Sequence, residues 1–310
     1  MITVVGSLNM DLVTYTSRMP AAGETIIGKS FRQIPGGKGA NQADAIAKLG
    51  AEVKMIGCVG CDGMGTALLD SLRNDGVDVT MVKRVDGIST GIASITVDSS
   101  GSNSIIVVPG ANGRLSIEDL QASLEAIENS EIVVAQLEVP IETVRFAIKT
   151  AKQLGKLTIL NPAPAAGLEN ELLSNVDILV PNETELELLS GIRIHNEAEL
   201  ERAAQLLINK GVQELIVTLG SKGCVHLNKS GSKAYPAYKV DAIDTTAAGD
   251  SFIGALAAAI SEGKTLEEAI RFATAVGALT VTKEGAQSSL PFRKEVEAFI
   301  RLSAETEAIQ

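Results

Sequence analysis

Apolar residues along this chain fall into two alternating rhythms. Short apolar runs, several of them β-branched, occur at 3–5, 53–56, 132–135, 157–160, 178–180 and 215–218. Between them, at 40–49, 65–74, 116–128, 141–154 and 198–210, apolar positions recur every three or four residues, the spacing of an amphipathic helix. Strand and helix in turn predict an α/β fold whose mainly parallel sheet is covered by helices on both faces. The strand runs are largely apolar, as doubly covered strands are. Three further helices are predicted at 250–261, 266–283 and 293–304.

Two stretches break the rhythm. Residues 12–35 (LVTYTSRMPAAGETIIGKSFRQIP) and 88–109 (ISTGIASITVDSSGSNSIIVVP) are rich in β-branched residues and turn formers. Both read as antiparallel strands, the second a hairpin about Asp98-Ser99-Ser100-Gly101. They predict a small sheet inserted into a main α/β domain, suited to a lid, a dimer interface, or both. Its apolar positions, among them Ile92, Ile95, Ile105 and Val107, would be poorly covered by one subunit.

Composition narrows the function. A chain of 310 residues, 45% of them hydrophobic, can bury a large core. A net charge of −11 argues against nucleic acid or an anionic membrane as partner, because no basic field would attract phosphate backbones. No basic, apolar leader opens the sequence, and no apolar run approaches the roughly 20 residues of a membrane span. A soluble, cytoplasmic protein is expected. Three cysteines are too few, and odd in number, for a disulfide framework. Cys58 and Cys61 form a CxxC with nothing to complete a zinc site, and read as turn residues after a strand ending near Gly57. His195 and His226 lie in no motif.

Polar groups gather just after the predicted strands, where open parallel sheets bind ligands. They are Gly6-Ser7-Leu8-Asn9-Met10-Asp11, Gly36-Gly37-Lys38-Gly39-Ala40-Asn41, Gln136-Leu137-Glu138, Asn161-Pro162-Ala163-Pro164, Pro181-Asn182-Glu183-Thr184-Glu185 and Thr218-Leu219-Gly220-Ser221-Lys222-Gly223. GGKGAN lacks P-loop spacing, and no GxGxxG follows the first strand. Near the C-terminus, DAIDTTAAGDSFIGALAAAI runs from small residues into a helix, with Asp250 at the junction. Asp250 reads locally as a helix cap or as a group beside an anion site, since a helix start offers free N–H groups and partial positive charge.

Read together, GGKGAN and DTTAAGDSF, with GSLNMD before them, QLE, NPAPA, PNETE and TLGSKG between them and KEGAQ after them, resemble the ribokinase-like (PfkB) family of carbohydrate kinases over essentially the whole chain. The resemblance implies a three-layer sandwich in a single domain over 1–310, with 12–35 and 88–109 as a β-sheet lid. It implies ATP-dependent phosphorylation of D-ribose at O5, with homodimers formed through the lid. Asn9, Met10, Asp11, Gly37, Lys38, Gly39, Asn41 and Glu138 would bind the sugar. Asn182, Thr218, Leu219, Gly220, Ser221, Lys222, Gly223, Gly249 and Thr274 would hold ATP, and Glu185 would organise Mg²⁺ through water. Asp250 would be the base, with Ala247, Ala248 and Gly249 forming an anion hole with it. An activating K⁺ would sit among Asp244, Thr246, Thr280, Lys283, Gly285 and Ser289. Ser251 stands where threonine is common in the family, and Met10 lies between two expected sugar ligands. A sister kinase of deoxyribose, a ketohexose or a nucleoside is the alternative, although six phenylalanines, three tyrosines and no tryptophan leave little to stack a nucleoside base. A non-catalytic sugar-binding protein on the same fold is the other, and it predicts loss of the base or the anion hole.

Overall fold

The computed structural model describes residues 1–307. Its strands are β1 Ile2–Val5, β2 Asn9–Tyr15, β3 Ser30–Gly36, β4 Val53–Gly60, β5 Asp78–Val85, β6 Gly91–Val97 and β7 Asn103–Val108, followed by β8 Ile132–Ala135, β9 Leu157–Leu160, β10 Ile178–Leu179, β11 Glu214–Thr218, β12 Cys224–Asn228 and β13 Gly231–Tyr235. Nine of them form one sheet in the order β13-β12-β11-β10-β9-β8-β1-β4-β5, parallel except where β12 and β13 add an antiparallel edge. The other four form a separate sheet, β3-β2-β6-β7.

Side chains alternate across a strand, so the large sheet divides its apolar residues between two cores. Ile2, Val4, Met55, Val134 and Ile216 pack in one cluster with Leu68, Leu72, Phe252, Leu256 and Ile270. Val5, Ile56, Val133, Leu160 and Val217 pack in the other with Leu120, Ile148, Leu186 and Leu207. The first brings in helices Lys38–Lys48, Gly63–Asn74, Ala248–Ser261 and Leu266–Thr280, and the second brings in Ile141–Gln153, Glu183–Ser190 and Glu197–Asn209. Three layers result. No helix among the described residues is long and apolar enough to cross a membrane.

The elements differ from the sequence expectation where polarity masks pattern. β5 and β13 are the edge strands and β12 lies next to one of them; all three mix charged or polar residues with apolar ones, so they carry no buried-strand signature. The helix expected over 116–128 is two, Ile117–Ala122 and Leu124–Glu128, divided at Ser123. β4 continues through Cys58 to Gly60, so Cys58 is a buried strand residue rather than part of a turn, with exposed Cys61 just beyond it. The first interrupting stretch forms β2 and β3 antiparallel, and the second forms the β6–β7 hairpin, closed by Gly101 N–H donating to Asp98 O. The small sheet therefore grows out of the large one just after β1, with Asn9 in register with both Gly36 and Gly91 at its root.

Candidate active site

Helix Ala248–Ser261 begins at Ala247, which has φ 60°, a left-handed conformation rare for a residue with a side chain. Asp250 in its first turn is 7% exposed. Its carboxylate does not cap its own helix. Asn41 Nδ2 donates to Oδ2 and Gln42 Nε2 to Oδ1, each at 3.0 Å, across the packing of helix Lys38–Lys48 on helix Ala248–Ser261. That close packing depends on Gly254, where an added Cβ would lie 2.6 Å from Ala45 Cβ and 2.8 Å from Gln42 O. The Ala248 N–H reaches Thr245 O at 3.3 Å. The N–H groups of Gly249 and Asp250 belong to the turn a helix leaves without internal partners, and no acceptor takes them among the described residues.

A cavity of about 200 Å³ lies against this helix start, lined by Lys38, Asn161, Asn182, Glu185, Thr218, Thr245 and Ala247 to Asp250, among others. It adjoins a larger one of about 440 Å³, and the two share Thr218, Thr245, Ala248 and Gly249. The larger is lined by Gly220, Ser221, Gly223 and Thr274 of the expected nucleotide set, and also by Ala237, Tyr238, Lys239, Val240 and Ala242. Neither cavity is lined by Leu219 or by Lys222, which is exposed.

On the other side of Asp250, Glu138 Oε2 accepts from Ser7 Oγ at 2.5 Å, from the Lys38 N–H at 3.1 Å and from Asn9 Nδ2 at 3.5 Å. Gly37, at φ 94°, turns the chain into helix Lys38–Lys48 where a Cβ would lie 2.6 Å from Asn9 N. A Cβ on Gly39 would lie 2.6 Å from Ser7 N. Asp11 is pushed up to about 7, first by burial and then by the negative charges of Glu138 and Asp250. Lys38 is raised chiefly by Asp250, with Glu138 and Glu185 adding. Burial raises Glu185 even though the Asn182 N–H donates to it. One ammonium thus stands among three carboxylates, Asp250, Glu138 and Glu185. Met10 is apart from them: strand alternation turns it away from Asn9 and Asp11, and it is buried in the first apolar cluster.

Three polar side chains at the site were given no role by the sequence reading. Gln42 adjoins the quoted GGKGAN, Gln136 opens QLE, and Asn112 follows β7. Asn112 Nδ2 donates to Asn9 Oδ1 at 2.7 Å and to Leu8 O at 3.0 Å, fixing the Asn9 amide.

The metal candidates divide. Asn182 and Glu185 close a capping box on helix Glu183–Ser190 and both line the smaller cavity. Asp244 Oδ1 accepts from the Thr246 N–H and hydroxyl, and Oδ2 accepts from the Gly285 N–H, so the two expected cation segments do meet. Burial opposes its charge, but these donors outweigh burial and hold Asp244 below the usual carboxylate range. The Thr280 and Ser289 hydroxyls donate to Val276 O and Ala286 O, and the Lys283 ammonium pairs with Glu295. Lys283 could therefore offer a cation only its carbonyl. Among the described residues, no three His, Cys, Asp or Glu side chains form a metal-binding group.

Comparison with known proteins settles the family. The model of the pfkB family carbohydrate kinases matches residues 1–293. The chain belongs to that family. It is 42% identical to a Haemophilus influenzae ribokinase, covering 96% of this chain and 98% of the relative. It is 40% identical to a Salmonella typhi deoxyribokinase, covering 97% and 99%. Among solved structures, Arabidopsis thaliana ribokinase complexed with ribose and ATP superposes with a TM-score of 0.90 at 36% identity, covering 96% of this pfkB-family chain and 97% of that one.

Proposed function

We propose that this enzyme transfers the γ-phosphoryl group of ATP to O5 of D-ribose, giving ribose 5-phosphate and ADP. The observation that carries the reading is the position of Asp250. It lines the smaller cavity beside the first-turn N–H groups, and its charge reaches Asp11 of the polar array that Asp11 forms with Asn9 and Glu138. Phosphoryl transfer asks chiefly for positioning and for neutralisation of developing charge. Asp250 would take the proton from O5 as that oxygen attacks. The Gly249 and Asp250 N–H groups, with Ala247 and Ala248 too small to cover them, would meet the charge on the transferred group. The Lys38 ammonium would add to that neutralisation. Asn9, Asp11, Asn41 and Glu138 would hold the sugar hydroxyls, for which carboxylates and amides are strong partners. The larger cavity would take the nucleotide between Gly220–Gly223 and Thr274.

Mg²⁺ arriving with ATP would offset charge on the phosphates, and Asn182 and Glu185 would hold it through water. The segments joined by Asp244 and Gly285 would hold K⁺, mainly by main-chain carbonyls, directly before the helix start. Residues 12–35 and 88–109 would close over the sugar as a lid of a single-domain, cytoplasmic enzyme, excluding water. β7 exposes Ile105, Ile106, Val107 and Val108, which suits a homodimer formed lid to lid.

A second reading, 2-deoxyribose as the sugar, is favoured by the likeness to the Salmonella typhi deoxyribokinase. Steady-state kinetics on both sugars with ATP and K⁺ separates the two. A higher kcat/KM for ribose is expected, whereas equal or better turnover of 2-deoxyribose overturns the ribose assignment.

A further inference from the structure

The base proposed above does not stand on its own helix for support, and the groups behind it form an amide chain of fixed sense. Gln42 and Gln136 are both fully buried. Gln42 Nε2 donates to Asp250 Oδ1 at 3.0 Å, and Gln136 Nε2 donates to Gln42 Oε1 at 2.6 Å. An ionised carboxylate only accepts, so Gln42 must turn its nitrogen towards Asp250. Its carbonyl then faces Gln136, which must answer with N–H. Asn161 Oδ1 also accepts from Gln42 Nε2, at 3.4 Å, and adds to the same orientation. Gln136 is anchored at the end of β8, and Gly6 makes room for it: a Cβ there would come within 2.0 Å of Gln136 Oε1. That oxygen has no partner among the described residues. An unpaired buried amide oxygen is costly, and its presence beside a completed donor chain indicates that this orientation of Gln136 is imposed by the chain.

We propose that Gln42 is a positioning residue for Asp250, and that Gln136 acts through it by setting the sense of the Gln42 amide. The relay joins the strand that ends in Glu138's loop to the helix start where transfer would occur. It fixes the carboxylate's rotation while leaving its approach from the sugar side open. The inference rests on Asp250 being the base.

The test is a double-mutant cycle in the full-length enzyme with ATP, ribose, Mg²⁺ and K⁺. Gln42→Met, which keeps length but loses the donor, should lower kcat about tenfold, the scale of one hydrogen bond to a charged group. KM for both substrates should stay within about threefold, since the carboxylate still lines the site. Gln136→Met should lower kcat less, and in the Gln42→Met background it should have no further effect. Gln42→Asn, which keeps the polarity and withdraws the amide, serves as a milder second variant and should lie between parent and Gln42→Met. Thermal melting and nucleotide binding by calorimetry report folding separately from turnover. A packing role alone predicts lower melting temperatures with unchanged kcat, whereas two glutamines acting independently predict additive losses of kcat. Either result overturns the relay. Asp250→Asn run in parallel separates the failures: full turnover there removes the base and the relay together, whereas lost turnover there with unaffected Gln42→Met removes the relay only.

Discussion

The nine-stranded sheet is covered on both faces, whereas the four-stranded sheet ends in a strand, β7, whose six residues are all exposed. Their polar residues differ in the same way. At the end of the large sheet, Asp250 receives two amide donors from a neighbouring helix, and the Gln42 amide is itself held by Gln136. At the root of the small sheet, half-buried Asp11 faces like charges, with no hydrogen bond to its carboxylate among the described residues. The difference suits the role proposed for each. A group that acts on a transferring phosphate needs fixed geometry, which a covered scaffold supplies. A group that receives hydroxyls can leave its acceptors open until the sugar arrives, and a segment that closes must come from the less stable part of the molecule.

The largest expected effect breaks the covered side. Asp250→Asn keeps both shape and neighbours but cannot take a proton, so kcat should fall by about 10² or more, the usual scale for a general base. ATP and ribose affinities should change little. Near-normal turnover would remove the contrast, because Asp250 would then be a structural acceptor only.

Asp11→Asn probes the open side and should separate binding from stability. Loss of a charged acceptor for hydroxyls should raise the ribose KM roughly 10- to 100-fold. The same change should stabilise the sugar-free protein. The folded carboxyl stays protonated up to about 7, while its ordinary value is 3.8. Between those values the folded state holds a proton that the unfolded chain has lost, so stability falls as pH rises through that window and stays lowered above it. Asparagine cannot ionise. At pH 8 it should add roughly 1–3 kcal/mol, and it should flatten the melting-temperature profile between pH 4 and 7. A less stable Asp11→Asn protein at pH 8 would show that the carboxylate is satisfied without sugar.

The exposed strand gives a smaller, more local effect. Ile106, 66% exposed, should lie in the lid-to-lid contact, and Ile106→Lys should weaken the dimer by about tenfold or more, roughly 1.4 kcal/mol. Light scattering across micromolar concentrations reads this directly. A parent protein that is already monomeric there would count against the dimer, and the apolar face of β7 would then need a different occupant.

The same division governs what the sequence discloses. Strands β1, β8, β9 and β11 read clearly because both faces are covered and their residues are almost wholly apolar. β5 and β13 stand at the edges and β12 beside one of them, where polar residues interrupt the run, and they were not legible. The loops after the strand ends announced Asn9, Asp11, Asn41, Glu138 and Asp250 through residue type and order. Gln42 went unread because a glutamine one residue beyond a glycine-rich loop looks like surface until a partner helix is placed against it, and Gln136, though part of a named strand-end loop, received no role because its partner Gln42 lies 94 residues away. Met10 is the converse case. Its place in GSLNMD suggests a sugar contact, but in a strand neighbouring side chains point to opposite faces. The wall at 237–242 follows β13 as coil, and coil carries no periodicity to read.

The smallest expected effect concerns the joint from which the helix start is presented. Ala247 holds a left-handed conformation at φ 60°, which costs a residue with a side chain about 1–2 kcal/mol. Such strain persists only where the surroundings fix it, and here both flanks are tied. Thr246 is held by Asp244, and Ser251 N–H closes the first helical turn on Ala247 O at 2.8 Å. Glycine would relieve the strain but would gain freedom in the unfolded chain, an offset of about 0.5–1 kcal/mol. Ala247→Gly should therefore be neutral or more stable by up to about 1 kcal/mol. Its kcat should fall only slightly, since the N–H groups of Gly249 and Asp250 are fixed by the helix rather than by Ala247. Ala247→Val places a β-branched side chain where φ is positive and should lose both stability and turnover. Chemical denaturation and kinetics on the pair decide it. A glycine variant destabilised by more than about 1 kcal/mol would mean that Ala247 contributes packing that outweighs its strain, and the helix start would then be held by side-chain contact rather than by its tied backbone.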